Sequence, residues 1–217
     1  MLPGVDGHAP GAGGGVELIL ASTSPYRRAL MERLGLPFRC VAPRFEERVG
    51  RAGEDPGNLV VHNALGKALS ILDAHPGSLI VGSDQVAECA GEILPKPGSA
   101  PRAVEQLLRL SGREHRLLTG VAVVQAPRAD APPPGELPGR TALVVNHLRL
   151  RELSRAEAET YVRRESPLDC AGAYKSEGLG IVLFEHLRGD DPTAIVGLPL
   201  IALGRLLRAF GCDPLGE

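Results

Sequence analysis

Short apolar runs alternate with stretches of helical spacing along most of the chain. The apolar runs predict strands at residues 17–21, 38–42, 79–81, 117–124, 141–150 and 180–184. Apolar positions that recur every three or four residues predict helices at residues 26–34, 59–72, 101–110, 154–164 and 198–210. Because strands and helices alternate without a repeat, the pattern predicts an α/β fold built on a mixed β-sheet with flanking helices.

Local signals mark where three of these helices begin. Pro25 stands in the first turn of the first helix, and Asp55-Pro56 opens the second. Ser154 and Glu157 have the spacing of a capping box, which predicts the start of the fourth helix.

Two segments lack both patterns. Residues 1–15 are rich in Gly and Pro and have neither a basic start nor an apolar stretch, which predicts a flexible extension rather than a signal peptide. Residues 127–139 are rich in Pro, Gly and Ala and predict a loop in solvent. We therefore expect a single domain over residues 16–217. No apolar run is long enough to span a bilayer, so we expect no membrane partner.

Composition narrows the range of functions. Hydrophobic residues make up 43% of the chain and aromatic residues 3%, so the core must consist mainly of Leu, Val, Ile and Ala. The formal net charge of −2 argues against a nucleic-acid partner, although a few clustered cations suffice to bind a small anion. The scattered cysteines, without a C-x-x-C pair, argue against a zinc knuckle, and four free thiols fit a reducing cytoplasm.

The segment that joins the first strand to the first helix suits a phosphate site. Ser22 and Ser24 supply short hydroxyl groups, and the helix that follows supplies free backbone N–H groups and the positive end of its dipole. Arg27 and Arg28 add guanidinium groups that can bind pairs of phosphate oxygens. A capped helix with two surface arginines has the same residues, so this segment alone does not decide the function.

Candidate chemistry follows the predicted strand at residues 79–81. Asp84 stands directly after it, and ligand sites in open α/β sheets gather at such strand ends. An aspartate there suits a general base, a metal ligand or an ordinary turn. Lys96 lies between two prolines that hold it in an extended segment. It is one of only three lysines among 24 basic residues, which points to a need for a compact ammonium group.

A glycine-rich segment lies at residues 169–180. Three glycines near its end suit close approach of the backbone to a flat ligand. Glu177, within this segment, can accept hydrogen bonds from the N–H groups on the Watson–Crick edge of guanine. A simple connection between two elements would also be rich in glycine, so this segment too needs support from elsewhere.

Together these segments resemble the Maf family, in particular its 7-methyl-GTP pyrophosphatase branch. The resemblance runs from about residue 18 to residue 215 and is carried, in order, by residues 18–28, 82–86, 96–97, 170–180 and 196–199. It implies an elongated α/β fold with two lobes around a cleft, related to the inosine-triphosphate pyrophosphatases. It also implies a divalent cation, Mg²⁺ or Mn²⁺, and commonly a homodimer.

The resemblance also implies roles for individual residues. Asp84 matches the family's presumed catalytic base and Glu47 a carboxylate of its active site, and these two would hold the metal. The positions that match the family's phosphate-handling cations are Arg27, Arg28, Lys67 and Lys96.

Three positions distinguish the branches of the family. Tyr26 stands where the 7-methyl-GTP branch tends to have Trp and the pyrimidine branch Arg. Gln85 stands where the pyrimidine branch tends to have Thr, and Glu177 where it has Gln. Tyr keeps an aromatic face for a methylated, positively charged guanine, an attraction of about 0.5–2 kcal/mol. The resemblance therefore implies a guanine nucleotide.

The implied reaction is metal-assisted hydrolysis of a nucleoside triphosphate at the α-phosphorus, which gives a monophosphate and pyrophosphate. Whether Asp84 activates the water or binds the metal stays open at this point. Two other functions also stay open: a dTTP or UTP pyrophosphatase of the same family, and a nucleotide-binding regulator of septum formation without catalysis. Binding alone needs no base, so the presence of Asp84 together with Glu47 favours an enzyme.

Overall fold

A mixed sheet of seven strands supports the fold. The computed structural model describes residues 16–50, 53–128 and 139–216. The strands are β1 (Leu18–Ala21), β2 (Phe38–Val41), β3 (Leu79–Cys89), β4 (Glu92–Leu94), β5 (Glu114–Gln125), β6 (Gly139–Leu150) and β7 (Phe184–Arg188). Their order is β2-β1-β3-β5-β6-β7, with β4 paired to β3. Because β1 is parallel to β2 and β3 whereas the other pairs are antiparallel, the predicted mixed sheet is confirmed.

Five α-helices flank the sheet within the described ranges. They are α1 (Pro25–Glu32), α2 (Pro56–Leu69), α3 (Ala100–Leu110), α4 (Arg155–Glu165) and α5 (Leu200–Arg208). Shorter 3₁₀ helices lie at Leu72–Ala74, Ala171–Ala173, Leu179–Leu183 and Pro192–Val196. The capping box of α4 forms as predicted, because the Ser154 and Glu157 side chains each accept from the other residue's backbone N–H. Among the residues described, no helix combines the length and the hydropathy that crossing a membrane requires.

Three apolar clusters divide the molecule into two lobes. One cluster, which contains Leu20 and Leu203, joins β1 and β3 to α1 and α5. A second, which contains Ile80 and Ala68, lies on the opposite face of these strands beneath α2. A third, which contains Leu107, unites α3 and α4 with the far ends of β3, β5 and β6. The long strands therefore run from one lobe into the other, and the implied two-lobed α/β fold is confirmed.

Glycines allow α2 to lie directly on the sheet. A Cβ at Gly82 of β3 would overlap the carbonyl oxygen of Ala64, and a Cβ at Gly120 of β5 would overlap that of Val60. The backbone of α2 therefore sits closer to these strands than side chains would permit. Because of this close approach, a long side chain on α2 can reach residues of β3.

The third strand is longer than the apolar pattern predicts. It was expected to end at residue 81, with Asp84 just beyond it, but β3 continues to Cys89. Its parallel neighbour β1 stops at Ala21, whereas β5 pairs with β3 from Leu79 to Glu88. Asp84 therefore lies within a strand, at the step where β1 has ended and β3 goes on.

The prediction of a strand at residues 180–184 is wrong. The segment forms the 3₁₀ helix Leu179–Leu183, and β7 begins only at Phe184. The Glu165 carboxylate at the end of α4 accepts the backbone N–H of Leu179 at 3.2 Å, which fixes the turn. The extension at residues 1–15 and residues 129–138 of the predicted loop lie outside the described residues.

Replacing Gly82 with Ala tests the close packing of α2. We expect Gly82→Ala to lower the free energy of unfolding by about 1–3 kcal/mol, because the new methyl group meets backbone rather than a flexible side chain. Gly204→Ala in α5 is the matched control, since its nearest neighbour would lie at 3.6 Å and Ala favours a helix. Urea denaturation measures both variants. Equal stabilities of the two would contradict this packing.

Candidate active site

A cavity of about 290 Å³ opens at the step between β1 and β3. The turn after β1 forms one wall, and the segment that ends at Gly197 forms another. Predicted site residues that line the cavity are Ser22, Ser24, Tyr26, Arg27, Glu47, Lys67, Gln85, Lys96 and Glu177. Asp84 lies directly behind it, bonded to Lys67. The structure thus brings together residues that are spread over more than 150 positions of the sequence.

The turn at residues 22–24 is held by its own hydroxyl groups. Ser24 donates its backbone N–H to Ser22 Oγ at 3.1 Å, and its side chain caps α1 by accepting from the Arg27 N–H. Arg27 in turn donates from Nε to the carbonyl oxygen of Gly197 at 2.9 Å. This bond fixes the plane of the guanidinium group, which lines the cavity, and its terminal nitrogens make no hydrogen bond to the described residues. The group is preorganised to bind an anion.

Arg28 is placed differently from its neighbour. It points to solvent, pairs with Glu32 one turn along α1 at 3.2 Å, and does not line the cavity. Successive residues of an α-helix point about 100° apart, so two adjacent arginines on α1 cannot face the same pocket. The structure therefore does not bring Arg28 to the site.

Lys67 joins two acidic residues of the site, Asp84 and Glu47. Its ammonium group lies 2.7 Å from Asp84 Oδ1 and 2.7 Å from Glu47 Oε1, and it also donates to the Ser83 carbonyl oxygen at 3.1 Å. Lys67 is 3% exposed and Asp84 is 4% exposed, so this is a largely dry ion pair. Lys67 reaches Asp84 because α2 lies so close to β3. One ammonium therefore fills its three donor positions with three acceptors from two segments.

Asn63 is a site residue that the sequence patterns do not identify. Its amide Nδ2 donates to Asp84 Oδ2 at 2.9 Å and to the Arg48 carbonyl oxygen at 3.1 Å, while Oδ1 accepts the Arg48 N–H at 3.0 Å. Asn63 lies one helical turn before Lys67, and this i, i+4 spacing on one helix is the signal that could have found it. It ties the segment that carries Glu47 to the strand that carries Asp84.

The cations of the site lower the pKa of the Glu47 carboxyl group. Burial alone would raise the pKa of its carboxyl group, but the hydrogen bond from Lys67 and the charges of Lys67, Lys96 and Arg27 outweigh this and hold the pKa below its ordinary value. Burial also lowers the pKa of Arg27, and the charges of Asp84 and Glu47 oppose that change. At neutral pH the cavity therefore holds ionised groups of both signs.

Gly197 provides one carbonyl to two parts of the site. Its oxygen accepts from Arg27 Nε and from Ser83 Oγ, each at 2.9 Å. Its φ of +117° is in the range that favours glycine and turns the chain out of the 3₁₀ helix Pro192–Val196. Ser83 was not predicted as a site residue, although it stands next to Asp84.

The far side of the cavity carries the residues that distinguish the branches. Gln85 donates to Thr119 Oγ1 at 3.0 Å and to the Ala194 carbonyl oxygen at 2.7 Å, so its amide is held in place. Lys175 lies with its Nζ 5.7 Å from the centre of the Tyr26 ring and donates to the Glu165 carbonyl oxygen at 2.8 Å. A cation thus already lies beside this aromatic ring.

Comparison with known proteins matches the chain to the Maf-like protein family over residues 17–210. A protein of Bordetella avium (strain 197N) named 7-methyl-GTP pyrophosphatase is 46% identical over 198 residues, which cover 91% of this chain and 95% of that protein. A protein of the same name from Syntrophotalea carbinolica (strain DSM 2380 / NBRC 103641 / GraBd1) is 43% identical and covers 92% of this chain and 98% of its own length. All the residues that line the cavity lie within the range that the family match covers.

Solved structures were compared as well. A nucleoside-triphosphatase / dITP/XTP pyrophosphatase from Mycobacterium abscessus matches with a TM-score of 0.43 and 18% identity, over 90% of this chain and 94% of that chain. The Ham1 protein of Staphylococcus aureus matches with a TM-score of 0.34 and 12% identity, over 61% of this chain and 71% of that chain.

Removing the shared ammonium tests its structural role. We expect Lys67→Met to lower the free energy of unfolding at pH 7 by about 3–5 kcal/mol, because Asp84 is left buried without its charge partner. Arg28→Met is the matched control, since its exposed ion pair contributes about 0–1 kcal/mol. Chemical denaturation measures both. A loss in Lys67→Met no larger than in Arg28→Met would contradict the buried pair.

The same variant has a predictable pH dependence. The folded-state pKa of Glu47 is below its ordinary value, so this carboxylate adds stability above about pH 4.5, and the contribution is lost as the pH falls through the folded-state pKa. Lys67→Met removes the main cause of the lowered pKa. We therefore expect the stability difference between wild type and variant to narrow as the pH falls below about 4.5, measured by denaturation at several pH values. A constant difference would contradict this linkage.

Proposed function

We propose that this chain, which belongs to the Maf family, is a pyrophosphatase that hydrolyses 7-methyl-GTP to its monophosphate and pyrophosphate. The observation that carries the proposal is the Lys67 ammonium between Asp84 and Glu47, in one cavity with Arg27 and Lys96. A cluster of cations around a buried carboxylate suits a substrate with several negative charges and a reaction that needs a base. Relatives of 43–46% identity that bear this name support the choice of substrate.

The phosphates are proposed to lie against the turn at residues 22–24 and the cations. Arg27 binds phosphate oxygens with its terminal nitrogens, and Lys96, which lines the same cavity, neutralises charge. The N-terminus of α1 adds backbone N–H groups and a positive dipole end. These groups are in position before the substrate arrives, so they stabilise charge on the leaving pyrophosphate without rearrangement.

Asp84 is proposed as the base for the attacking water. Its two oxygens each accept one hydrogen bond, from Lys67 and from Asn63, and each keeps a lone pair for a water molecule. These bonds hold the carboxylate in one orientation. The ammonium of Lys67 also places a positive charge 2.7 Å from Oδ1 of this carboxylate.

A divalent cation fits this set of donors. The described residues contain no group of three or more His, Cys, Asp or Glu that could hold a metal ion by themselves. Mg²⁺ often uses only one or two protein carboxylates and completes its shell with phosphates and water. Glu47 and Asp84 would hold the ion, and Glu47 has more free capacity because only its Oε1 accepts from Lys67 and its side chain is 46% exposed. When bound, Mg²⁺ or Mn²⁺ would neutralise charge on the phosphates.

We propose that the nucleobase of the substrate is recognised by the three positions that distinguish the branches of the family. Glu177 accepts from the N–H donors of guanine, which a uracil or thymine base does not offer in the same pair. Tyr26 supplies a ring for stacking, beside the Lys175 ammonium. Gln85, held by Thr119 and the Ala194 carbonyl, shapes the wall next to Glu177. We further propose, from the family resemblance, that the enzyme works as a homodimer in the cytoplasm.

A nucleotide panel tests the function as a whole. We expect pyrophosphate release from 7-methyl-GTP, in the presence of Mg²⁺ or Mn²⁺, to exceed release from GTP, UTP and dTTP. Equal or faster release from UTP or dTTP would favour a pyrimidine nucleotide pyrophosphatase instead. Tight nucleotide binding without any release of pyrophosphate would favour a regulator that does not catalyse.

Substitutions at Asp84 and at the adjacent residues Arg27 and Arg28 test the mechanism. We expect Asp84→Asn to lower kcat by about 10²–10⁴-fold, because an amide cannot accept the proton. Asp73→Asn, at an exposed position, is the control and should keep normal turnover. Arg27→Gln should lower kcat/KM by about 10²-fold or more, whereas Arg28→Gln should change it less than threefold or so. Near-normal turnover by Asp84→Asn would exclude Asp84 as the base.

A further inference from the structure

A second cavity lies beside the active site. It has a volume of about 280 Å³ and lies under the 3₁₀ helix Pro192–Val196. Glu177, Ile195 and Val196 line both cavities, so the two cavities adjoin each other at these residues. The polar groups that line the second cavity include Asn146, Ser176 and Glu177, and the rest of its wall is largely apolar. Nothing in the proposed phosphate chemistry uses this space.

Asn146 is the unusual residue of this second cavity. It lies in β6 opposite Leu117 and is 1% exposed, yet neither its Oδ1 nor its Nδ2 has a hydrogen-bond partner among the described residues. The neighbours two positions away on the same face of β6 are Val144 and Leu148, which are both apolar. An apolar residue at position 146 would continue this face, whereas a buried amide without partners opposes folding.

The backbone near Asn146 is shaped around its amide. A Cβ at Gly189 would overlap Asn146 Oδ1, so only glycine lets the chain pass over this side chain. Gly189 itself lines the cavity. The amide is therefore held at the wall by close packing rather than by hydrogen bonds, and its donor and acceptor remain available for a ligand.

We propose that Asn146 and Glu177 form the subsite for the hydrogen-bonding edge of a guanine base. This inference rests on the proposed function. Guanine presents two N–H donors beside one carbonyl acceptor, and a carboxylate next to an amide N–H donor is the complementary set. Glu177 accepts from the two donors and Asn146 Nδ2 donates to the carbonyl oxygen. Glu177 also lines the phosphate cavity, so one substrate can occupy both spaces.

Replacing the amide with an apolar group of similar size tests this subsite. We expect Asn146→Leu to keep or raise the melting temperature, because a buried unpaired amide is removed. We expect the same variant to lower kcat/KM for 7-methyl-GTP by about 5- to 100-fold. Purine riboside triphosphate has the same phosphates and purine ring but lacks the amino, carbonyl and 7-methyl groups, so Asn146→Leu should not change its kcat/KM. If Asn146→Leu fails to fold, Asn146→Ala gives the same selective loss with space left in place of the amide.

A matched substitution outside the second cavity separates the loss of base recognition from a general loss of activity. Asn58→Leu replaces an exposed asparagine at the start of α2 and should leave kcat/KM unchanged for both triphosphates. If Asn146→Leu hydrolyses 7-methyl-GTP as well as wild type does, the subsite is wrong and water satisfies the amide. An equal loss with both triphosphates would also overturn the proposal, because it would show a structural effect rather than recognition of the base.

A binding measurement keeps this inference separate from the proposed function. Calorimetry gives the affinity of 7-methyl-GMP for wild type and for Asn146→Leu without any need for turnover. Weaker binding to the variant, with no pyrophosphate release by wild type from any nucleotide, would reject the enzyme and keep the subsite. Turnover by wild type together with equal binding to both proteins would reject the subsite and keep the enzyme.

Discussion

The ammonium group of Lys67 sits where three parts of the chain meet, and its charge holds them together. It comes from α2, it bonds Asp84 on β3, and it bonds Glu47 on the segment that follows β2. Two carboxylates so close to each other repel. The shared cation offsets this repulsion, because it lies 2.7 Å from an oxygen of each. Asn63 adds a second polar tie between this centre and the Glu47 segment.

The sheet makes room for this arrangement through strands of unequal length. The strand β1 ends at Ala21, whereas β3 continues because β5 supplies an antiparallel partner along almost all of its length. Between its pairing with β1, which ends at Val81, and its pairing with β4, which begins at Ala87, β3 therefore has room beside it for the turn at residues 22–24 and the start of α1. Parallel pairing of β3 on one side and antiparallel pairing on the other thus produce a cleft where β1 ends. The backbone of β3 continues past this cleft and connects the two lobes.

Sequence patterns predict much of this but not all. The family resemblance places Ser22, Arg27 and Asp84 in one site, because the ordered set of motif segments is a specific signal although each segment is weak on its own. The extension of β3 through Ser83 and Asp84 has no such signal, since its polar residues are paired by a strand far along the chain. Arg28 resembles Arg27 in sequence, and only the rotation of α1 separates their roles.

Other features depend on contacts that no local pattern reports. The 3₁₀ helix at Leu179–Leu183 depends on the Glu165 carboxylate, and Asn146 looks like any polar residue in a strand until its partners are sought. The carbonyl of Gly197 has a consequence of the same kind. Because it accepts from both Arg27 and Ser83, one local opening of that turn would free the Arg27 side chain and loosen β3 at Ser83 together. The turn at Gly197 therefore couples the position of a side chain on α1 to that of the strand that carries Asp84.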